Sequence, residues 1–290
     1  MSNGAAATSH VVAISAHKGG SENGPGGTLD AYAKAAATGA EYVEFDIRPT
    51  GDGELVVFHD AHTRQGAALA ATSYARICEL AGFEVPRVAD VMRLIAGKAI
   101  GHLDLKAVGA EEEAVEMALD ILGPGNFVVT SLEDESVAAI KARFPGVPAA
   151  LSLGRDLKTV PRSKWAQTRL GELFPIRRIR ACGADWAAVN RQLAAAGVLA
   201  QCHRHGITTM IWTVDEDKEI MRWLADPRVA VLITNRPAHA VALRATLRSG
   251  EASLPRVRCL AWLSGMAAWT GPGAARTGPG SMGWRRSDLG

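Results

Sequence analysis

The chain has 290 residues, 48% hydrophobic and 21% charged, a balance too apolar for a disordered scaffold and too interrupted by charge for a membrane bundle. Lys and Arg total 32 against 30 Asp and Glu, a formal charge of +2, so no large field exists to hold nucleic acid by counterion release. Cys78, Cys182, Cys202 and Cys259 form no CxxC pair, which excludes zinc-ribbon spacing and a disulfide framework.

Residues 1–9 carry no Lys or Arg, and the first apolar run, 11–16, is too short for a signal-peptide core. No segment reaches the roughly 18 apolar residues of a spanning helix. The expectation is a flexible N-terminus over 1–9 on a cytoplasmic protein without a transmembrane segment. Strand-like runs follow at 11–16, 42–47, 99–105, 127–131, 149–153, 186–190, 208–214 and 229–234. Helical runs alternate with them at 29–37, 88–95, 111–122, 136–143, 164–179 (broken by Pro175), 192–205, 218–224 and 238–247. Thr28 is the expected N-cap of the first helix and Gly39 its stop. Residues 55–58 also look extended, but the turn sequence Thr50-Gly51-Asp52-Gly53 before them makes them a hairpin insertion after strand two. Eight strands each followed by a helix predict an α/β protein closed as a (β/α)8 TIM barrel over 10–250. No GxGxxG or Walker A loop supports an open doubly wound sheet. Residues 251–290 hold seven Gly, three Pro and five Arg against two acids, a tail expected to be partly disordered. Within it 254–269 is apolar and Arg-flanked, offering a helix that packs on the barrel or makes a weak membrane or self contact.

Reactive groups of a barrel sit at the carboxyl ends of its strands. Strand one runs into His17-Lys18-Gly19-Gly20, and strand two ends in Glu44-Phe45-Asp46, whose carboxylates share a face. Strand three ends in His102-Leu103-Asp104-Leu105-Lys106, polar residues inward and leucines toward the helices. Glu44, Asp46 and Asp104 together need a counter-charge, and an all-carboxylate set suits a hard divalent ion, Mg2+ or Ca2+. Lys18 and Lys106 add positive charge for a phosphoryl group, with Lys106 equally suited to an internal ion pair. His17 and His59 are candidates for an acid/base pair. Metal, cations and an acid/base pair specify phosphodiester cleavage. His102 is expected to support a ligand rather than be one, and Trp212 either stacks on substrate or plugs the core. Asn190 is ambiguous, Ser131 is a candidate substrate contact, Ser15 has no assigned role, and His62, His203, His205 and His239 are expected to be solvated.

These residues resemble the glycerophosphodiester phosphodiesterase family, whose pattern is His-Arg-Gly, Pro-Glu-Asn-Thr, Glu-x-Asp and a strand ending in His-Asp. The counterparts are His17-Lys18-Gly19, Pro25-Gly26-Gly27-Thr28, Glu44-Phe45-Asp46 and His59-Asp60, extended by Val85-Pro86, Asp104-Leu105-Lys106, Trp212-Thr213-Val214-Asp215 and Ile233-Thr234-Asn235-Arg236-Pro237. The resemblance covers about residues 10 to 248. It implies hydrolysis of glycerophosphodiesters to glycerol 3-phosphate and an alcohol, with His17 and His59 as the acid/base pair and Glu44, Asp46 and Asp104 as metal ligands. Lys18, Lys106 and Trp212 are the expected substrate contacts. Departures mark a divergent member: Lys18 for Arg loses a bidentate fork, Gly26-Gly27 replaces Glu-Asn with Glu22 as a partial substitute, Asp104 is one methylene short of Glu, and Asp215 and Asn235 stand for Asn and Asp. Two other expectations stay open, a lysophospholipase D acting on lipid and a barrel that binds phosphodiesters with weakened turnover.

Overall fold

The computed structural model describes residues 10–249 apart from 23 and 25. The expectations for residues 1–9, for Pro25 of the loop motif and for the tail with its apolar segment 254–269 lie outside the described residues.

The chain runs β1 (Ala13–Ala16), α1 (Leu29–Ala35), β2 (Tyr42–Pro49), β3 (Leu55–Val57), α2 (Tyr74–Ala81), α3 (Val88–Ile95), β4 (Ile100–Leu105), α4 (Glu111–Ile121) and β5 (Phe127–Ser131). It continues through α5 (Asp134–Arg143), β6 (Ala149–Leu153), α6 (Trp165–Leu173), α7 (Ile176–Ala181), β7 (Trp186–Asn190), α8 (Arg191–Leu193) and α9 (Leu199–Arg204). The last elements are β8 (Thr208–Trp212), α10 (Asp217–Leu224), β9 (Val231–Thr234) and α11 (Pro237–Ser249). The order β1-β9-β8-β7-β6-β5-β4-β2 is parallel throughout and β1 also pairs with β2, which closes a (β/α)8 barrel. β3 lies outside this ring, antiparallel to the outer end of β2, as expected of an inserted hairpin.

Alternation along the strands divides the core in two. Phe45, Leu103 and Leu105 face outward into the layer under the helices, where Met92 and Trp223 are also fully buried. The interior is plugged by Val128, Ala188, Met210, Val231 and Ile233. Burying each such side chain is worth about 1.5–3 kcal/mol. Thr28 caps α1 as expected, its Oγ1 accepting from Ala31 N–H at 3.1 Å.

Three local expectations are corrected. The insertion is larger than a hairpin: it adds α2, whose Ile77 joins Val56, Leu69 and Val85 in a separate small core. Ser73 precedes α2 but makes no side-chain cap, and the first N–H, on Tyr74, goes instead to Asp52 Oδ1 at 2.9 Å. The helix expected over 192–205 is interrupted by a π turn, Ala194–Val198, because Gly197 sits at φ 108. The strands expected to reach 214 and to begin at 229 instead end at Trp212 and start at Val231.

Candidate active site

The mouth is built first by the turn after β1. Lys18 has φ 53, the one positive φ among non-glycine residues of the described chain. That strained geometry costs on the order of 1–2 kcal/mol and is held from both sides. Lys18 N–H donates to Glu44 Oε2 at 2.6 Å, and Gly27 N–H donates to Lys18 O at 2.8 Å. Gly19 follows at φ +73, where a Cβ would stand 2.9 Å from Tyr32, so only glycine lets this turn rest on α1.

β2 and β4 then bring the carboxylates together. Their register places Glu44 opposite His102 and Asp46 opposite Asp104. Glu44, Asp46 and Asp104 each offer a carboxylate oxygen within 4.8 Å of the others. Burial, then Asp46 and Asp104, push the Glu44 carboxyl well above its ordinary range. Asp46, against the upward push of burial, is held at about 2 by Lys106 and Lys18. Lys106 Nζ lies 3.0 Å from Asp46 Oδ1 and donates to Asp104 Oδ2, and Lys18 Nζ is 3.6 Å from Asp46 Oδ2. Despite burial, Asp104, Asp46 and Glu44 raise the Lys106 pKa. Asp46 Oδ1 faces Lys106 Nζ at 3.0 Å without hydrogen-bond geometry, and the buried Tyr32 hydroxyl has no hydrogen-bond partner among the described residues. Converging hard oxygen donors and the raised Glu44 carboxyl fit a divalent cation.

Both expected histidines line the mouth. His17 Nδ1 lies 2.7 Å from Asn235 Oδ1. The Asn235 amide is oriented by Asp215, which accepts from Asn235 Nδ2 at 2.7 Å and from its backbone N–H at 2.8 Å. The amide oxygen therefore faces His17, Nδ1 carries the proton and Nε2 is left for a ligand. Asp215 and Asn235 are thus one hydrogen-bonded unit, a reciprocal exchange of the family's Asn and Asp with its single negative charge kept. Burial outweighs the Asn235 contact and lowers the His17 pKa below its ordinary value. His59 is fixed likewise, with Nδ1 2.7 Å from Asp60 Oδ1 and its carbonyl accepting from Arg48 Nε at 2.9 Å. Arg48 was not foreseen, although it lies two residues beyond Asp46 on the same strand face and lines the mouth.

Beneath the carboxylates runs a buried chain of hydrogen bonds. Thr130 Oγ1 donates to Asp104 Oδ1 at 2.7 Å. Its proton is committed there, so His102 Nε2, 3.1 Å away, donates to it, and His102 Nδ1 accepts from Ser15 Oγ at 3.0 Å. His102 is neutral in this arrangement, and burial pulls its pKa down to about 4. His102 supports Asp104 as expected, through Thr130. Ser15, assigned nothing from sequence, orients the imidazole. Ser131 is corrected: it points outward and donates to Leu105 O at 2.9 Å, because Thr130 occupies the inward position. Register across β4 and β5, rather than composition, carries this information.

The far wall of the mouth is held by β6 and β8. Trp212 lines it with its indole N–H donated to Ala188 O at 2.9 Å. A Cβ on Gly154 would stand 2.4 Å from Asn190 Cβ and 3.1 Å from the Trp212 ring, so the loop after β6 closes tightly on the tryptophan. Buried Glu172 accepts from Gly154 and Arg155 N–H at 2.8 and 2.6 Å. Asn190 caps α8 through Gln192 N–H. Glu22 does not replace the missing loop glutamate; its two oxygens accept from Ala238 and His239 N–H at the start of α11. The cavity at the mouth is about 690 Å3.

The sequence model of the glycerophosphoryl diester phosphodiesterase family matches residues 17–239. The chain belongs to this family. Its relatives in that family, phosphoric diester hydrolases, include the glycerophosphodiester phosphodiesterase of Caldanaerobacter subterraneus, 24% identical over 244 residues, covering 77% of this chain and 94% of the relative. The probable glycerophosphodiester phosphodiesterase 2 of Mycobacterium tuberculosis is 26% identical over 227 residues, 73% of this chain and 82% of that one. The crystal structure of a glycerophosphodiester phosphodiesterase from Parabacteroides distasonis superposes with a TM-score of 0.68 at 17% identity, covering 82% of this chain and 99% of that one. An Oleispira antarctica phosphodiesterase solved with the product sn-glycerol-3-phosphate gives 0.63 at 18% identity, with 80% and 96% covered. At these identities the likeness between structures is one of fold.

Proposed function

We propose that this family member hydrolyses glycerophosphodiesters to glycerol 3-phosphate and an alcohol. The observation that carries the proposal is the convergence of Glu44, Asp46 and Asp104 with Lys18 and Lys106 beside them, next to a cavity lined by His17 and His59. Glycerol 3-phosphate, bound in the Oleispira antarctica enzyme, is the product expected here. A divalent cation held by the three carboxylates, Mg2+ or Ca2+, would supply Lewis-acid stabilisation of phosphoryl charge. Lys18 and Lys106 bind the remaining phosphoryl oxygens as point charges, and Trp212 presents an apolar wall to the alcohol.

His17, neutral through burial, accepts a proton at Nε2 from the nucleophile, a water or the neighbouring glycerol hydroxyl. His59 donates from Nε2 to the departing alkoxide, its ring steadied by Asp60. A lowered pKa makes His17 competent as base above that value and incompetent below it. Hydrolysis of glycerophosphocholine therefore gains an acid limb that lies below the ordinary histidine range, and the rate profile of wild type, His17→Ala and His59→Ala tests the assignment. Each alanine variant is expected to lose about 10²–10⁴-fold in kcat while unfolding at the wild-type temperature, and His17→Ala to lose the acid limb. Retention of most activity in either variant refutes the acid/base pair.

A further inference from the structure

The rim of the mouth continues into a surface that catalysis does not use. Residues 155–180 hold eight Lys and Arg against two carboxylates, net +6 in a chain of total charge +2. Arg155, Arg169 and Arg178 are paired with Glu133, Glu172 and Asp134. Lys158, Arg162, Lys164 and Arg177 meet no carboxylate among the described residues, and all four are exposed. Amid this charge α6 buries only Glu172, while Trp165, Leu170 and Phe174 stand 37%, 57% and 67% exposed. Leu170 and Phe174, four residues apart, lie on one side. The Trp165 indole is tied by its N–H to Val160 O at 2.9 Å, with Arg162 5.8 Å from the ring.

We infer that α6 and the loop before it form a docking surface for a lipid bilayer carrying anionic phospholipids. Exposed tryptophan, leucine and phenylalanine set among lysines and arginines match the two demands of such an interface, apolar insertion and attraction to headgroup charge. Charge argues against the other occupants. A second copy joined through the same face would oppose one net-positive patch to another. Residues 251–290 carry five Arg against two acids and share the sign of the surface. The loop preceding α6 starts inside the mouth, whose wall includes Gly154, Arg155, Asp156 and Thr159. Docking here would face the mouth toward lipid, a placement suited to lysophospholipids as well as soluble diesters. The inference is independent of the catalytic assignment, because docking is read without turnover.

The test is co-sedimentation of the full chain with phosphatidylcholine vesicles containing or lacking phosphatidylglycerol, at low and high salt. Wild type is expected to partition onto the phosphatidylglycerol vesicles and to be released as salt rises. Arg162→Glu with Lys164→Glu, and separately Leu170→Ser with Phe174→Ser, are each expected to lower the partition coefficient about tenfold or more, leaving glycerophosphocholine turnover unchanged. Absence of binding to anionic vesicles overturns the inference, as does undiminished binding by both double variants, which would assign docking to another region. Loss in the charge variant alone, or capture by heparin without capture by vesicles, would mark a polyanion site and overturn the lipid assignment.

Discussion

Asp104 carries one methylene fewer than the family's glutamate, and Thr130 fixes one of its oxygens at 2.7 Å. Thr130→Val removes that donor and leaves the His102 Nε2 proton without an acceptor. The expected outcome is a fall of about 10–100-fold in divalent-metal affinity, measured by calorimetric titration, with Thr130→Ser restoring most of it. Unchanged affinity would show that Asp104 needs no such support. The primary residues of the mouth were legible in sequence because strand periodicity alone puts Glu44 with Asp46 and His102 with Asp104. Thr130, Ser15 and the Asp215–Asn235 unit were not, since each depends on which residue the neighbouring strand or loop sets opposite.

Elements were legible where one local rule sufficed. The eight barrel strands follow from short β-rich runs separated by helical period, the Pro175 break falls between α6 and α7, and Thr28 caps α1. Where the deciding contact lies far along the chain, the signal weakens: the first backbone N–H of α2, on Tyr74, donates to the side chain of Asp52, which is 22 residues away. Glu172 acts in the same long-range way, holding the loop after β6 through two backbone N–H groups while paired with Arg169. Glu172→Ala would strand those donors and is expected to cost roughly 2–4 kcal/mol of stability, read by urea denaturation, with Glu172→Gln recovering part of the loss. A cost within about 0.5 kcal/mol, ordinary for a surface change, would show the loop to be held otherwise.

At the scale of the whole molecule the barrel converts sequence periodicity into convergence. Side chains from β1, β2, β4 and β5 point into one open end, and the apolar plug below seals them from the opposite face. Closure explains how acidic residues at separate positions in the chain meet, and why their mutual repulsion calls for a cation. Among the described residues no helix is long and apolar enough to cross a membrane. The central claim is that the carboxylate trio holds a divalent ion on which hydrolysis depends. Glycerophosphocholine hydrolysis by the full chain, stripped with EDTA and then back-titrated with Mg2+ or Ca2+, tests it most directly. Turnover lost on stripping, restored by one of these ions and unrestored in Asp46→Asn is the expected result. Undiminished turnover in the stripped chain would contradict it.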